Sequence, residues 1–138
     1  MYLIDTNVIS ELRKKKRANA GVRQFFQQAS EQAEESYISV ITIGELRRGV
    51  ELIRHRGDER QAGQLETWLQ HLLNDYADHI LNFTAEEAQI WGYLRAAHYE
   101  NALDKQIAAT ALTYNLTLVT RNLRDFTATG VKLLNPFK

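Results

Sequence analysis

The sequence predicts an α/β fold, an open sheet of buried strands alternating with helices. Two observations predict it. Apolar runs of strand length alternate along the chain with longer stretches whose apolar residues recur at helical spacing. Several of these runs also stop abruptly at small polar or acidic side chains, as strands do where they hand over to a helix at the edge of an α/β sheet.

Tyr2 to Ile4 is the first strand, and it stops at Asp5. Thr6 or Asn7 then caps a helix carrying Val8, Ile9 and Leu12, which leaves Asp5 at the strand's C-terminal edge. The consecutive cations Arg13, Lys14, Lys15, Lys16 and Arg17 follow. They read either as a solvated helix end that suits the dipole there or as a phosphate-contacting patch near Asp5. Val22, Phe25, Phe26 and Ala29 mark a second helix, and Ser30 to Glu35 a polar connection. Tyr37 to Ile41, rich in β-branched residues, is the second strand. Thr42-Ile43-Gly44-Glu45 then has the capping-box form, with Leu46, Val50 and Ile53 as the buried stripe behind it.

Arg54 to Asp58 is a polar, glycine-containing loop. Leu65, Trp68, Leu69, Leu72, Leu73 and Tyr76 keep the helical period, so Trp68 and Tyr76 are packing residues rather than a platform for stacked bases. His79 to Phe83 is a short strand. Thr84 to Glu87 forms another capping box, opening a helix that runs through His98. Asn101 caps a helix from Ala102 to Tyr114 and places Asp104 in its first turn. The small side chains from Ile107 to Ala111 let this helix approach the sheet closely. Asn115 closes it, Leu116 to Thr120 is a buried strand, and Val131 to Leu134 is the last strand.

A chain of 138 residues, 44% of them hydrophobic, suffices for one domain with one good core. The absence of Cys excludes a disulfide framework and thiolate metal sites. No signal-peptide pattern or membrane-spanning run is present, so a cytoplasmic protein is expected. The 17 basic and 17 acidic residues cancel, so contact with a polyanion has to use local patches.

Asp5, Glu45, Asp104 and Asp125 each have a local explanation as a cap or a dipole partner, yet in a parallel sheet their positions converge on one edge. Two carboxylates about 5 Å apart repel by roughly 3 kcal/mol at an effective dielectric near 20, so such a cluster needs protonation or a counter-charge. A divalent ion supplies it. Oxygen ligands, with no Cys and no His pair at motif spacing, suit Mg²⁺ or Mn²⁺ rather than Zn²⁺. Such an ion acidifies bound water and stabilises charge on a phosphodiester, which is hydrolytic nuclease chemistry. Asn122 lies two residues beyond Thr120 and faces the edge directly. Asp125 reaches back only if Arg121 to Arg124 curls into a helical turn, which would also aim Arg121 or Arg124 at a substrate phosphate.

Met1-Tyr2-Leu3-Ile4-Asp5-Thr6-Asn7, Ile43-Gly44-Glu45-Leu46, Leu103-Asp104-Lys105-Gln106-Ile107-Ala108-Ala109-Thr110-Ala111 and Leu118-Val119-Thr120-Arg121-Asn122-Leu123-Arg124-Asp125-Phe126 resemble the four acidic motifs of PIN domains. Their order and spacing are similar to those of VapC-type toxins, the FitB-like subgroup included, and the resemblance runs nearly end to end. It implies a single PIN-like domain over residues 1–138, three-layer α/β/α with a central twisted parallel sheet. It also implies the toxin of a type II (VapBC) toxin–antitoxin system, a Mg²⁺- or Mn²⁺-dependent endoribonuclease with RNA, tRNA included, as substrate. The partners it implies are a cognate VapB-type antitoxin and a second copy of the chain, in a homodimer that enters a larger hetero-oligomer. Carried over residue by residue, Asp5, Glu45 and Asp104 bind metal directly or through water. The fourth acid falls at Asn122 or Asp125. Asp125 is preferred, because an amide oxygen is the weaker partner for a hard cation. Thr6, Asn7, Thr120 and Asn122 would orient ligands and waters. The rival readings are a non-catalytic PIN-like module that holds RNA or protein, and a metal-dependent DNA nuclease. Retention of Asp5, Glu45 and Asp104 argues against the first, and contacts to the 2′-hydroxyl would separate the second.

Overall fold

In the computed structural model, which describes residues 1–138, the first apolar run becomes β1 (Tyr2–Ile4), the central strand of a five-stranded sheet. β2 (Ser36–Ser39) and β3 (Ile80–Leu81) extend the sheet on one side, β4 (Thr117–Val119) and β5 (Lys132–Leu134) on the other, all parallel. α1 (Thr6–Glu11) and α2 (Ala20–Glu31) connect β1 to β2, with a 3₁₀ segment, Leu12–Arg17, between them. α3 (Val40–His55) and α4 (Glu59–Asp75) lead to β3, α5 (Ala85–Ala97) and α6 (Ala102–Thr113) to β4, and α7 (Leu123–Phe126) precedes β5. The expected three-layer α/β/α architecture is observed. No helix is long and apolar enough to cross a membrane.

Alternate side chains of a strand point to opposite faces, and this divides the interior in two. Ile4, Ile38 and Val119 face α1 to α4 and join Val8, Ile9, Val22, Leu46, Val50, Leu69 and Leu72 in one core. Leu3 and Leu118 face the other way, onto Ile107, Ala108, Ala111 and Phe126. Strands this short are therefore held by side chains from both layers. The small residues of α6 are fully buried, as close approach to the sheet requires. Trp68 and Tyr76 pack against the first core, which bears out their reading as packing residues. At the start of α2, a Cβ on Gly21 would lie 2.1 Å from the Pro136 carbonyl oxygen, so only glycine fits there.

Several local expectations are corrected. The second strand ends at Ser39, not Ile41, and Ser39 rather than Thr42 caps α3, its hydroxyl accepting from the Ile41 amide at 3.0 Å. Val40 and Ile41 read as strand by their branching, but β propensity reports burial more than backbone preference, and the Ser39 cap decides the boundary. The capping box at Thr42 and Glu45 is thus absent, whereas the one at Thr84 and Glu87 forms. Asp5 itself, not Thr6 or Asn7, is the N-cap of α1. Asn101 precedes α6 in a left-handed conformation (φ 54°) and makes no side-chain cap.

Candidate active site

Beyond β1 the chain continues to β2 on one side, and only later returns to β4 on the other. The crevice at such a switch point, at the carboxyl ends of the strands, is where open α/β sheets bind ligands. Asp5 sits there, 3% exposed, its amide bonded to the Val119 carbonyl at 2.9 Å. Its carboxylate accepts from the Thr6 amide at 2.8 Å, the Thr120 hydroxyl at 2.8 Å and the Asn7 amide group at 3.3 Å. Thr120 and Asn7 are fixed in turn. The Thr120 hydroxyl accepts from the Asn122 backbone at 3.0 Å, and the Asn7 carbonyl oxygen from the Arg121 backbone at 3.1 Å. Burial raises the pKa of Asp5 and Glu45 adds to it, while the bonds from Thr120, Thr6 and Asn7 pull it down.

Glu45 lies in the second turn of α3 and is tied to the same edge through Thr6, whose hydroxyl donates to it at 2.8 Å. Thr42, turned inward, places its hydroxyl oxygen 3.3 Å from that of Thr6. Asp104, half-buried in the first turn of α6, is held differently. Burial, then the charges of Asp5, Asp125 and Glu45, lift its pKa to about 6, while Lys105 draws it down; its carboxylate accepts no hydrogen bond from the chain. Asp125 reaches this neighbourhood because Leu123–Phe126 does form a helical turn, the condition set by its distance from Thr120. Asn122 precedes that turn as an exposed residue without a side-chain cap. No three of the chain's acidic and histidine side chains close on a common point.

The expected cations divide. Arg13 borders a groove that also touches Thr6 and Glu45, Lys14 pairs with Glu11 at 2.9 Å, and Lys15, Lys16 and Arg17 are exposed. Arg121 stacks its guanidinium 4.7 Å from the Phe137 ring, whereas Arg124 shares a recess with Asp125. Two residues were not singled out by the sequence. Thr42 was read as a cap, and only the fold shows that it faces Thr6. Lys105, 3% exposed, carries a signal that local reading passed over, a cation directly after a candidate acid and just ahead of the run from Ile107 to Ala111.

Fold and site together define a small parallel α/β/α protein with an acidic cluster at the carboxyl edge of its sheet. The chain belongs to the PIN domain family, which it matches over residues 2–132. It is similar to the plasmid stability protein StbB of Pseudomonas syringae pv. tomato, 35% identical over all of this chain and 99% of the relative. Toxin FitB of Neisseria gonorrhoeae is 36% identical over 99% of both chains. The VapC ribonuclease Y4jK of Sinorhizobium fredii is 30% identical over 100% of this chain and 99% of its own. Among solved structures, FitAcB from Neisseria gonorrhoeae superposes with a TM-score of 0.84 at 35% identity, covering 99% of this chain and 98% of that one.

Proposed function

We propose that this chain is the toxin of a type II toxin–antitoxin pair and acts as a Mg²⁺- or Mn²⁺-dependent endoribonuclease. Asp104 is the observation that carries this reading. Its carboxyl group is pushed up to about 6 by burial and by the charges of Asp5, Asp125 and Glu45, so four carboxylates share one neighbourhood that positive charge would stabilise. The donor chemistry fits, because carboxylate, hydroxyl and amide oxygens are the ligands a hard divalent ion takes. Asp5, Glu45, Asp104 and Asp125 would hold the ion. Asp5 would be kept in place by Thr6, Asn7 and Thr120, while Asp104 gives up its proton on binding. When bound, the ion would acidify water and stabilise charge on the phosphodiester. Arg13 and Arg124, on either side of the acids, would guide the RNA backbone. The names of the FitB and Y4jK relatives support both the toxin and the ribonuclease parts of this reading.

The cognate VapB-type antitoxin would occupy the groove of about 280 Å³ that opens beside Thr6 and Glu45 and is lined by Leu46, Leu52, Ile53, Leu65 and Trp68. An arginine of the partner reaching the acids would pair bidentately with a carboxylate and displace the ion. The homodimer and the larger assembly with antitoxin belong to the same reading. In the direct test, the purified chain is incubated with single-stranded RNA or DNA, with Mn²⁺ or with excess chelator. Cleavage of RNA that chelation and Asp5→Asn both abolish is expected. Persistence through both treatments would sink the metal mechanism, and equal cutting of DNA would sink the ribonuclease assignment.

A further inference from the structure

A recess of about 170 Å³ opens next to Asp125, where the end of α5, the start of α6 and α7 meet. Two cations line it, Lys105 and Arg124, together with the carboxylates of Glu100 and Asp125, and with His98 and Asn101. Lys105 is the unusual one. The residue is 3% exposed, and its ammonium donates to the Glu100 carbonyl oxygen and stands 3.9 Å from the Glu100 carboxylate. A lysine is rarely buried to this extent, because removing an ammonium from water is costly unless its donors are used. This one has three donors, and a single carbonyl lies within hydrogen-bond distance. Tying down the connection before α6 would use one donor. The others, together with the Arg124 side chain lining the same recess, go beyond what that task needs.

We infer that Lys105 and Arg124 form a seat for a backbone phosphate of the RNA strand, next to the linkage held at the acids. This rests on the ribonuclease reading above and deepens it. Asp104 and Lys105 are consecutive on α6, so their side chains diverge by about 100° around the helix axis. The strand would then run from the acids across the start of α6 toward α7. Arg124 can grip two phosphate oxygens at once, while Lys105 supplies a point charge already stripped of most of its water.

The test is binding, measured by the anisotropy of a short fluorescent single-stranded RNA of mixed sequence, in the non-cleaving Asp5→Asn background with Mg²⁺ present. Each lost phosphate contact lowers the slope of log Kd against log salt by about 0.7 on a single strand. That decrease is expected for Lys105→Met and for Arg124→Gln. A single uncharged methylphosphonate linkage, scanned along the RNA, should weaken binding by about tenfold at one position when Lys105 is present, and no further in Lys105→Met. Unchanged slopes in both variants overturn the seat. If the unsubstituted chain still cuts RNA in a metal-dependent way, the ribonuclease reading survives that result. Failure of the Asp5→Asn protein to bind RNA at all, with no cleavage by the unsubstituted chain, overturns both. Should Lys105→Met not fold, exposed Arg124 carries the test alone, and an unchanged slope in Arg124→Gln is then decisive against the seat.

Discussion

Asp5 and Asp104 belong to one acidic cluster and are held in opposite ways. The Asp5 carboxylate sits at the end of the central strand and accepts from a backbone amide, a hydroxyl and a side-chain amide. Asp104 stands on the first turn of a helix, pushed up by burial and by like charges, with no hydrogen bond among the influences on it. The sheet edge thus supplies one finished half of the site. The helix supplies an unfinished half, a carboxyl group that burial and like charges leave uncompensated. Orienting bonds fix the first carboxylate, whereas like charges crowd the second.

The sharpest way to break this contrast is Asp104→Asn, which should act on activity and stability with opposite signs. RNA cleavage should fall by about a hundredfold or more if Asp104 holds the ion as proposed. The folded protein, measured in chelator, should become more stable at neutral pH. The sign follows from the raised pKa. A carboxyl that holds its proton more tightly folded than unfolded contributes stability that is fully present below its ordinary value of 3.8, and that is lost as pH rises through about 6. Thermal melts between pH 5 and 8 should show the unsubstituted chain losing more stability with rising pH than the Asn variant. Parallel curves would mean that Asp104 feels no unbalanced charge.

Thr120→Val probes the finished half. It keeps the shape of a buried side chain while removing the hydroxyl that donates to Asp5 at 2.8 Å and accepts from the Asn122 amide. A buried carboxylate that loses such a donor costs about 1–3 kcal/mol, here expected as a lower denaturation midpoint at neutral pH. Metal-dependent activity should fall about ten- to a hundredfold through loss of orientation alone. An unchanged midpoint would show that Asp5 does not depend on its donors. No equivalent substitution exists around Asp104, because no hydrogen bond contributes to its shift.

These two halves also differ in how legible they were. Asp5 could be placed from Tyr2 to Ile4 and the break after them, because a strand and its end are local patterns. The two-sided burial of Leu3, Ile4, Leu118 and Val119 followed from equally local apolar runs. Glu45 follows from the handover of the second strand to α3, but its expected capping box is not what holds it. It is held by Thr6, 39 residues away, and no capping rule encodes that contact. Lys105 shows a cation beside a candidate acid in the sequence, but its burial depends on the connection before α6, whose left-handed Asn101 leaves no periodic trace. Local rules read each element's chemistry, whereas contacts between elements emerged only with the sheet order.

The smallest expected effect concerns the fourth acid, where the contrast between a fixed and an unfinished half can be sharpened further. Asn122 follows the strand closely, but it is exposed, and its backbone amide is already committed to Thr120. Asp125 is further along the chain, yet the turn Leu123–Phe126 brings its charge within reach of Asp104, which it helps to raise. If Asp125 belongs to the unfinished half, Asp125→Asn should weaken Mn²⁺ binding by about tenfold, roughly 1.4 kcal/mol. It should also shift Asp104 back toward its ordinary pKa. Asn122→Ala should leave both nearly unchanged, because its structural contribution runs through the backbone. Mn²⁺ titration by calorimetry and carboxyl NMR titration of Asp104, on variants shown to be folded, separate the outcomes. Loss of affinity in Asn122→Ala with none in Asp125→Asn would move the fourth position back to the strand's end. The acid on the helical turn would then be only a neighbour of the site.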